Sequence, residues 1–223
     1  MQWNRKWKLD NMAKVKIFLE AESLNVPESK FVVSILKHMG INPDRYDLMP
    51  TGGYSNLMDS DSTTNVGILQ ANTDEGGINL VIFDADSPQN NGGFEKRREE
   101  LLKRKKEMGL TFELFLWPNN KDDGDVEVLM ESIARKDLYP QLFECYEKYE
   151  HCISQRKNEQ GDAFYHLPNR KNKLHTYFTS LPISQTKRDK AGKGDWLWDD
   201  SEIWNLDADT MNPIKEFLSK QFI

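Results

Sequence analysis

Three groups of carboxylates carry the chemistry that this sequence suggests. Glu20 follows an apolar run, with Glu22 two residues on. Asp84-Ala85-Asp86 follows a second run. Asp122-Asp123-Gly124-Asp125-Val126-Glu127 comes after a third. In a parallel sheet, ligands bind beyond the carboxyl ends of the strands. If these runs are strands, Glu20, Asp84 and Asp86 meet at one edge. Gathering three or four carboxylates costs free energy unless a cation offsets their repulsion. All-oxygen donors suit a hard divalent ion, Mg²⁺ first and Mn²⁺ second. In a strand-end Asp-x-Asp the two side chains point to opposite faces. The chain must therefore bend just after Asp84 for both to reach one ion. A plainer role is open for each group: Asp86-Ser87-Pro88 suits a turn, and Asp125 suits a helix N-cap with Glu127 in the first turn.

The elements that must position these residues follow from the pattern. Residues 15–19 read VKIFL, a run of strand length. Pro27 opens a helical pattern in which Phe31, Val32, Ile35, Leu36 and Met39 recur, with Gly40 as a stop. Residues 46–49 form a weaker strand, ended by Pro50 and Gly52-Gly53. Residues 59–75 are polar, with a weak helical signal around Val66, Ile68 and Leu69. Residues 78–83 read INLVIF with almost no alternation, as in a strand covered on both faces. A highly charged segment, 94–108, reads as a solvated outer helix that stops at Gly109. Residues 111–117 form a fourth strand before Pro118, and 126–135 start another helix. The alternation predicts an α/β fold, a mostly parallel four-stranded sheet flanked by helices, over about residues 13–137.

Beyond residue 137 the pattern changes. Residues 138–153 look helical and aromatic, a short helix is expected near 173–180, and the Lys- and Gly-rich stretch 184–194 reads as mobile. A last helix covers 213–221. The expected organisation is thus an α/β domain, 1–137, and a mainly helical, aromatic-rich extension, 138–223, packed on it. Trp196, Trp198 and Trp204 suit that packing; base stacking is the other role open to them.

Composition bounds the rest. Of 223 residues, 38% are hydrophobic and 11% aromatic, enough for a core, and the net charge is −6. A globally basic nucleic-acid coat is excluded, although residues 151–194 hold nine Lys/Arg against three acids. The last segment, 195–223, reverses this with seven acids against two lysines. No apolar run approaches the roughly 20 residues needed to span a bilayer. The N-terminus is basic (residues 1–16 hold five Lys/Arg and one Asp) but lacks an apolar h-region. Cytoplasmic placement, with no membrane partner, is the expectation. Cys145 and Cys152 offer no CxxC pair and no disulfide framework. The four histidines lack metal spacing, no serine has a nucleophile-elbow context, and no GxGxxG or GxxxxGK[ST] occurs.

In order and spacing, Ile17-Phe18-Leu19-Glu20 and Val81-Ile82-Phe83-Asp84-Ala85-Asp86 resemble the acidic motifs of a Toprim domain, a Rossmann-like fold. Gly124-Asp125-Val126-Glu127 is similar to the third acidic motif of the branch that contains the OLD-family nucleases. Lys30-Phe31 and Gly52-Gly53 also fit that branch. The likeness covers about residues 13–137 and is closest to small stand-alone Toprim-like proteins. Ala21 stands where typical members have Gly, and neither a topoisomerase nor a primase module accompanies the motifs.

The resemblance implies metal-assisted phosphodiester chemistry on nucleic acid, DNA or RNA. Asp84 and Asp86 would hold Mg²⁺ (or Mn²⁺), Asp125 or Glu127 would complete the site, and Glu20 would be a ligand or a general acid/base. Lys171 and Lys173 are the candidate cations for the phosphate, Lys173 foremost. The alternatives are a non-catalytic nucleic-acid- or protein-binding module on the same fold, and hydrolysis of a small phosphate compound. Monomer or homodimer is the expected state.

Overall fold

A computed structural model describes residues 14–58, 63–191 and 194–222. Most of the basic N-terminal stretch, and Lys193, lie outside the described residues. The first half alternates strand and helix: β1 (Val15–Leu19), α1 (Pro27–His38), β2 (Tyr46–Pro50), α2 (Ser55–Met58), α3 (Thr63–Asp74), β3 (Ile78–Asp84), α4 (Phe94–Glu107), β4 (Glu113–Trp117) and α5 (Val126–Ser132). The second half is helical: α6 (Pro140–Ser154), α7 (Arg170–Ser180), α8 (Gln185–Ala191) and α9 (Asn212–Ser219).

The four strands form one sheet in the order β2-β1-β3-β4, all parallel. Leu19 lies opposite both Pro50 and Ile82, and Asp84 lies opposite Trp117. The carboxyl ends of β1, β3 and β4 therefore come side by side. The near-continuous apolar runs are explained by the two covered faces. Ile17, Leu19, Leu80, Ile82, Phe115 and Trp117 join one buried cluster with α1. Phe18, Val81, Phe83 and Leu116 join the other, with Leu69 of α3 and Leu101 of α4. Alternate residues of one strand thus feed opposite cores. The charged helix α4 packs through Leu101 and the mostly buried Arg104, with Phe94 against the same core and most of its other charged residues exposed.

The first of these cores also takes in the C-terminal half. Trp196, Trp198 and Trp204 are buried and lie against one another, Trp198 and Trp204 with ring centroids 4.5 Å apart. Trp198 meets Phe31 of α1 at 4.7 Å, and Phe217 of α9 meets Phe115 of β4 at 5.3 Å. Trp204 Nε1 donates to the carbonyl of Trp196 at 2.8 Å, and the Tyr177 hydroxyl donates to that of Ile203 at 2.7 Å. The tryptophans are packing residues, closed to any base.

The stretch 184–194, expected to be mobile, instead contains the helix α8. Two of its cations are anchored. Lys187 reaches Asp200 at 2.6 Å, and Arg188 donates to the carbonyls of Thr179 and Leu181. Helix α7 also starts earlier than expected, at Arg170, because the Asn169 side chain caps it by accepting the N–H of Asn172 at 2.9 Å. Cys145 and Cys152 are free, exposed thiols. Among the described residues no helix is long and apolar enough to cross a membrane.

Trp204→Ala removes the ring that touches Trp196, Trp198 and Tyr177 together. It is expected to lower unfolding stability by about 3–5 kcal/mol, as for large aromatic truncations in cores. Urea titration followed by tryptophan fluorescence and circular dichroism checks it.

Candidate active site at the carboxyl ends of the strands

Glu20 is the first residue after β1, and its carboxylate joins three segments. Oε1 accepts the N–H of Tyr54 at 3.1 Å, from the loop after β2. Oε2 accepts the N–H of Asp84 at 3.2 Å, at the end of β3. Asp84 in turn accepts the N–H of Val126 through Oδ1 at 2.9 Å, which fixes the start of α5. Glu20, Asp84 and Val126 line a small cleft with Glu28, Val32 and Trp117.

The expected bend after Asp84 is present. Asp86 has a left-handed backbone, φ 60°. Its N–H donates to the Gly124 carbonyl at 2.7 Å and its carbonyl accepts the Gly124 N–H at 2.8 Å. The loops after β3 and β4 are thereby closed onto each other. Gly92 permits this packing, because a Cβ there would lie 2.3 Å from the Cβ of Asp86.

The bend does not aim Asp86 at Asp84's cleft. Its carboxylate receives Arg97 of α4 through Nε at 3.2 Å and an Nη at 2.7 Å. That guanidinium also lies 4.0 Å from the centroid of the Tyr54 ring, whose hydroxyl donates to Glu100 at 2.7 Å. Asp125 caps α5 by accepting the N–H of Val128 at 3.1 Å, and Arg170 reaches the same oxygen at 3.2 Å. Glu127 sits half-buried in the first turn of α5.

The two lysines separate. Lys171 pairs with Glu28 on the cleft wall and faces Glu127 and Glu22 electrostatically. Lys173 lies one half-turn on and pairs with Glu131 at 2.9 Å, against the rings of Phe143 and Tyr146. The structure therefore brings Glu20 and Asp84 into the cleft, with Glu127 close enough to act on Asp84 electrostatically and Lys171 tied to the cleft wall through Glu28. It commits Asp86 to Arg97, Asp125 to a cap and Arg170, and Lys173 to Glu131. Glu28, Tyr54, Arg97 and Arg170 were not identified from sequence. A signal did exist for two of them: Glu28 is the first-turn acid of the helix after Glu20, and Arg97 lies in the first turn of the helix after Asp-x-Asp.

Electrostatics single out three groups. Burial holds the Asp84 carboxyl well above its ordinary range, and Glu20, Glu127 and Asp125 push it the same way against the Val126 N–H. Burial also raises Glu20, with Asp86 adding to it and the two backbone N–H groups and Arg97 opposing. Glu127 is raised by burial and then by Asp125. Among the described residues no Lys or Arg forms an ion pair with Asp84 or Glu127.

Among the described residues, no three His, Cys, Asp or Glu side chains are arranged to hold a metal ion as they stand. The donor chemistry nevertheless fits a hard cation. Asp84 and Glu127 are carboxylates that burial and like charge hold away from the ionised form, and a divalent ion would reverse that balance. These two could hold one.

A parallel α/β sheet with raised carboxylates where the loops after β1 and β3 meet α5 defines an α/β protein with an acidic strand-end site. A family model described as a protein of unknown function (DUF3226) matches residues 26–223. The chain belongs to that family. The matched span contains Asp84, Asp86, Asp125 and Glu127 and continues through the helical half, whereas Glu20 precedes it. No curated protein and no solved structure matches the chain.

A carboxyl raised on folding stabilises the protein below its ordinary range and loses that contribution as pH rises through the raised value. Asp84→Asn keeps an oxygen for the Val126 N–H and removes the charge. In chelator near pH 7 it should therefore melt at a higher temperature than the wild type. The gain should vanish as pH falls toward about 4, where Asp84 is protonated. Thermal melts across pH check this; equal melting at neutral pH refutes it.

Proposed function

We propose that this chain is a divalent-metal-dependent enzyme of phosphodiester or phosphoryl transfer that acts on nucleic acid. The observation that carries this reading is Asp84: a crowded carboxyl at a strand end, pressed by Glu20 and Glu127, with no ion-pair partner among the described residues. Such a group calls for a cation, and none of the described side chains supplies one as an ion-pair partner. The Toprim-like order of Glu20, Asp84 and Asp86 supports the same reading, as does the position of the cleft beyond the carboxyl ends of parallel strands.

Asp84 and Glu127 would hold Mg²⁺ or Mn²⁺, which when bound supplies charge neutralisation at phosphate and acidifies water. Glu20 is anchored through both oxygens and raised toward neutrality, which suits a group that takes and returns a proton near the strand ends. Lys171 is the cation placed to meet a phosphate oxygen, with Arg170 beside it. Both are held by carboxylates before substrate arrives, so their side chains are ordered in advance. Arg97 neutralises Asp86 and steadies Tyr54, whose N–H holds Glu20.

Calorimetry should show Mg²⁺ or Mn²⁺ binding to the wild type and none to Asp84→Asn. Metal-dependent cleavage of DNA or RNA should fall to background in the same variant. Lys171→Ala should retain metal binding and lose about 10²–10³-fold in turnover, the usual effect of removing one stabiliser of developing charge. A wild type that binds neither ion overturns the reading; turnover of mononucleotides in preference to polymers would move the substrate to small phosphate compounds.

A further inference from the structure

We propose that the hairpin between α6 and α7 is a stacking platform for unpaired bases of a single-stranded nucleic acid. Its role in presenting substrate rests on the phosphodiester reading of the cleft; its binding chemistry does not.

The segment is built locally. Lys157 and Ala163 pair in an antiparallel bridge. The Phe164 N–H donates to the Arg156 carbonyl at 2.9 Å, and the Asn158 N–H to that of Asp162 at 2.9 Å. The Asn158 side chain closes the turn by accepting the N–H groups of Gln160 and Asp162, at 3.0 and 2.8 Å. Gly161 takes the left-handed conformation, φ 87°, that this turn requires.

On this frame stand large apolar groups in water. Phe164 is 48% exposed, Tyr165 40% and Leu167 54%. Single exposed apolar residues are ordinary, but three within four positions are not. They are also ordered by a cation. The Arg156 guanidinium lies 3.9 Å from the Phe164 ring centroid and 5.5 Å from that of Tyr165, and donates to the Tyr165 hydroxyl at 2.9 Å. The two rings are 4.9 Å apart and nearly perpendicular. An exposed aromatic pair with a guanidinium beside it is the chemistry that takes a base face and its phosphate together.

Charge and position favour nucleic acid over a protein partner. Residues 156–173 carry Arg156, Lys157, Arg170, Lys171 and Lys173 against Glu159 and Asp162, within a chain of net charge −6. Arg170 stands five positions after Tyr165, so at most about 18 Å lies between them. Arg170 contacts Asp125, and Lys171 contacts Glu28 on the cleft wall. A strand stacked on the hairpin can therefore run along α7's first turn into the cleft. In duplexes the base faces are already stacked on one another, so the platform selects single strands.

The test is fluorescence anisotropy on the full chain in chelator. The probes are a labelled oligothymidylate of about 20 nucleotides, longer than one typical stacking site, and a duplex of equal length. The wild type should bind the single strand more tightly than the duplex. Phe164→Ala/Tyr165→Ala should weaken single-strand binding about tenfold to a hundredfold. Phe164→Tyr, which keeps the ring, should bind as wild type and guards against a folding artefact. Failure of the wild type to bind, or wild-type affinity in the double alanine variant, overturns the platform. So does a double variant that changes the sedimentation of the chain, which would assign the patch to self-association. Metal binding by the wild type in any of those cases leaves the reading of the cleft standing.

Discussion

Like charges in a desolvated place repel strongly, and that repulsion organises one end of this protein. Glu20, Asp84 and Glu127 come from three separate elements, and folding brings them together at a cost. Three backbone N–H groups offset part of it, donated by Tyr54 and Asp84 to Glu20 and by Val126 to Asp84. These bonds work only if β1 lies beside both β2 and β3, as in the observed strand order. The sheet topology and the carboxylate cluster therefore depend on each other. What the N–H groups leave uncompensated, chiefly at Asp84, is the local property that a cation would satisfy.

Around that centre, cations already in the protein hold the outer acids. Arg97 occupies Asp86, Arg170 bridges Asp125 and Glu131, and Lys171 spans to Glu28. The site is thus graded: Asp86, Asp125 and Glu28 are paired, whereas among the described residues Glu20, Asp84 and Glu127 have no ion pair. Two of the three pairing cations come from α7, which belongs to the helical half. That half is held by the same core as the sheet, through Trp198 on Phe31 and Phe217 on Phe115. The aromatic tail therefore sets the position of the rim as well as covering one face of the sheet.

The strands were legible because two covered faces leave long apolar runs. INLVIF and VKIFL admit no amphipathic alternative, and acids at their ends mark the cleft once parallel order is assumed. Helix α8 was not legible, because its stability lies in tertiary contacts. Lys187–Asp200 and the Arg188 bonds to α7's last carbonyls join residues that no local pattern connects. Lys171 and Lys173 were indistinguishable by composition. Two positions apart on a helix, they face different neighbours, and only the packing of α5 against α7 determines which meets the cleft. Asp86 was read with Asp84 because the motif pairs them, but Arg97, eleven residues on, captures its carboxylate.

Glu20 accepts from the loop after β2 and from the end of β3, and this narrows what can stand at its position. Glutamine would turn an amide NH₂ toward one of two N–H donors, so donor would face donor. Aspartate is one methylene shorter and would have to reach both loops from a retracted carboxylate. The residue serves as a brace between strands as well as a chemical group. Its retention through sequence divergence would therefore record selection on architecture together with selection on reaction.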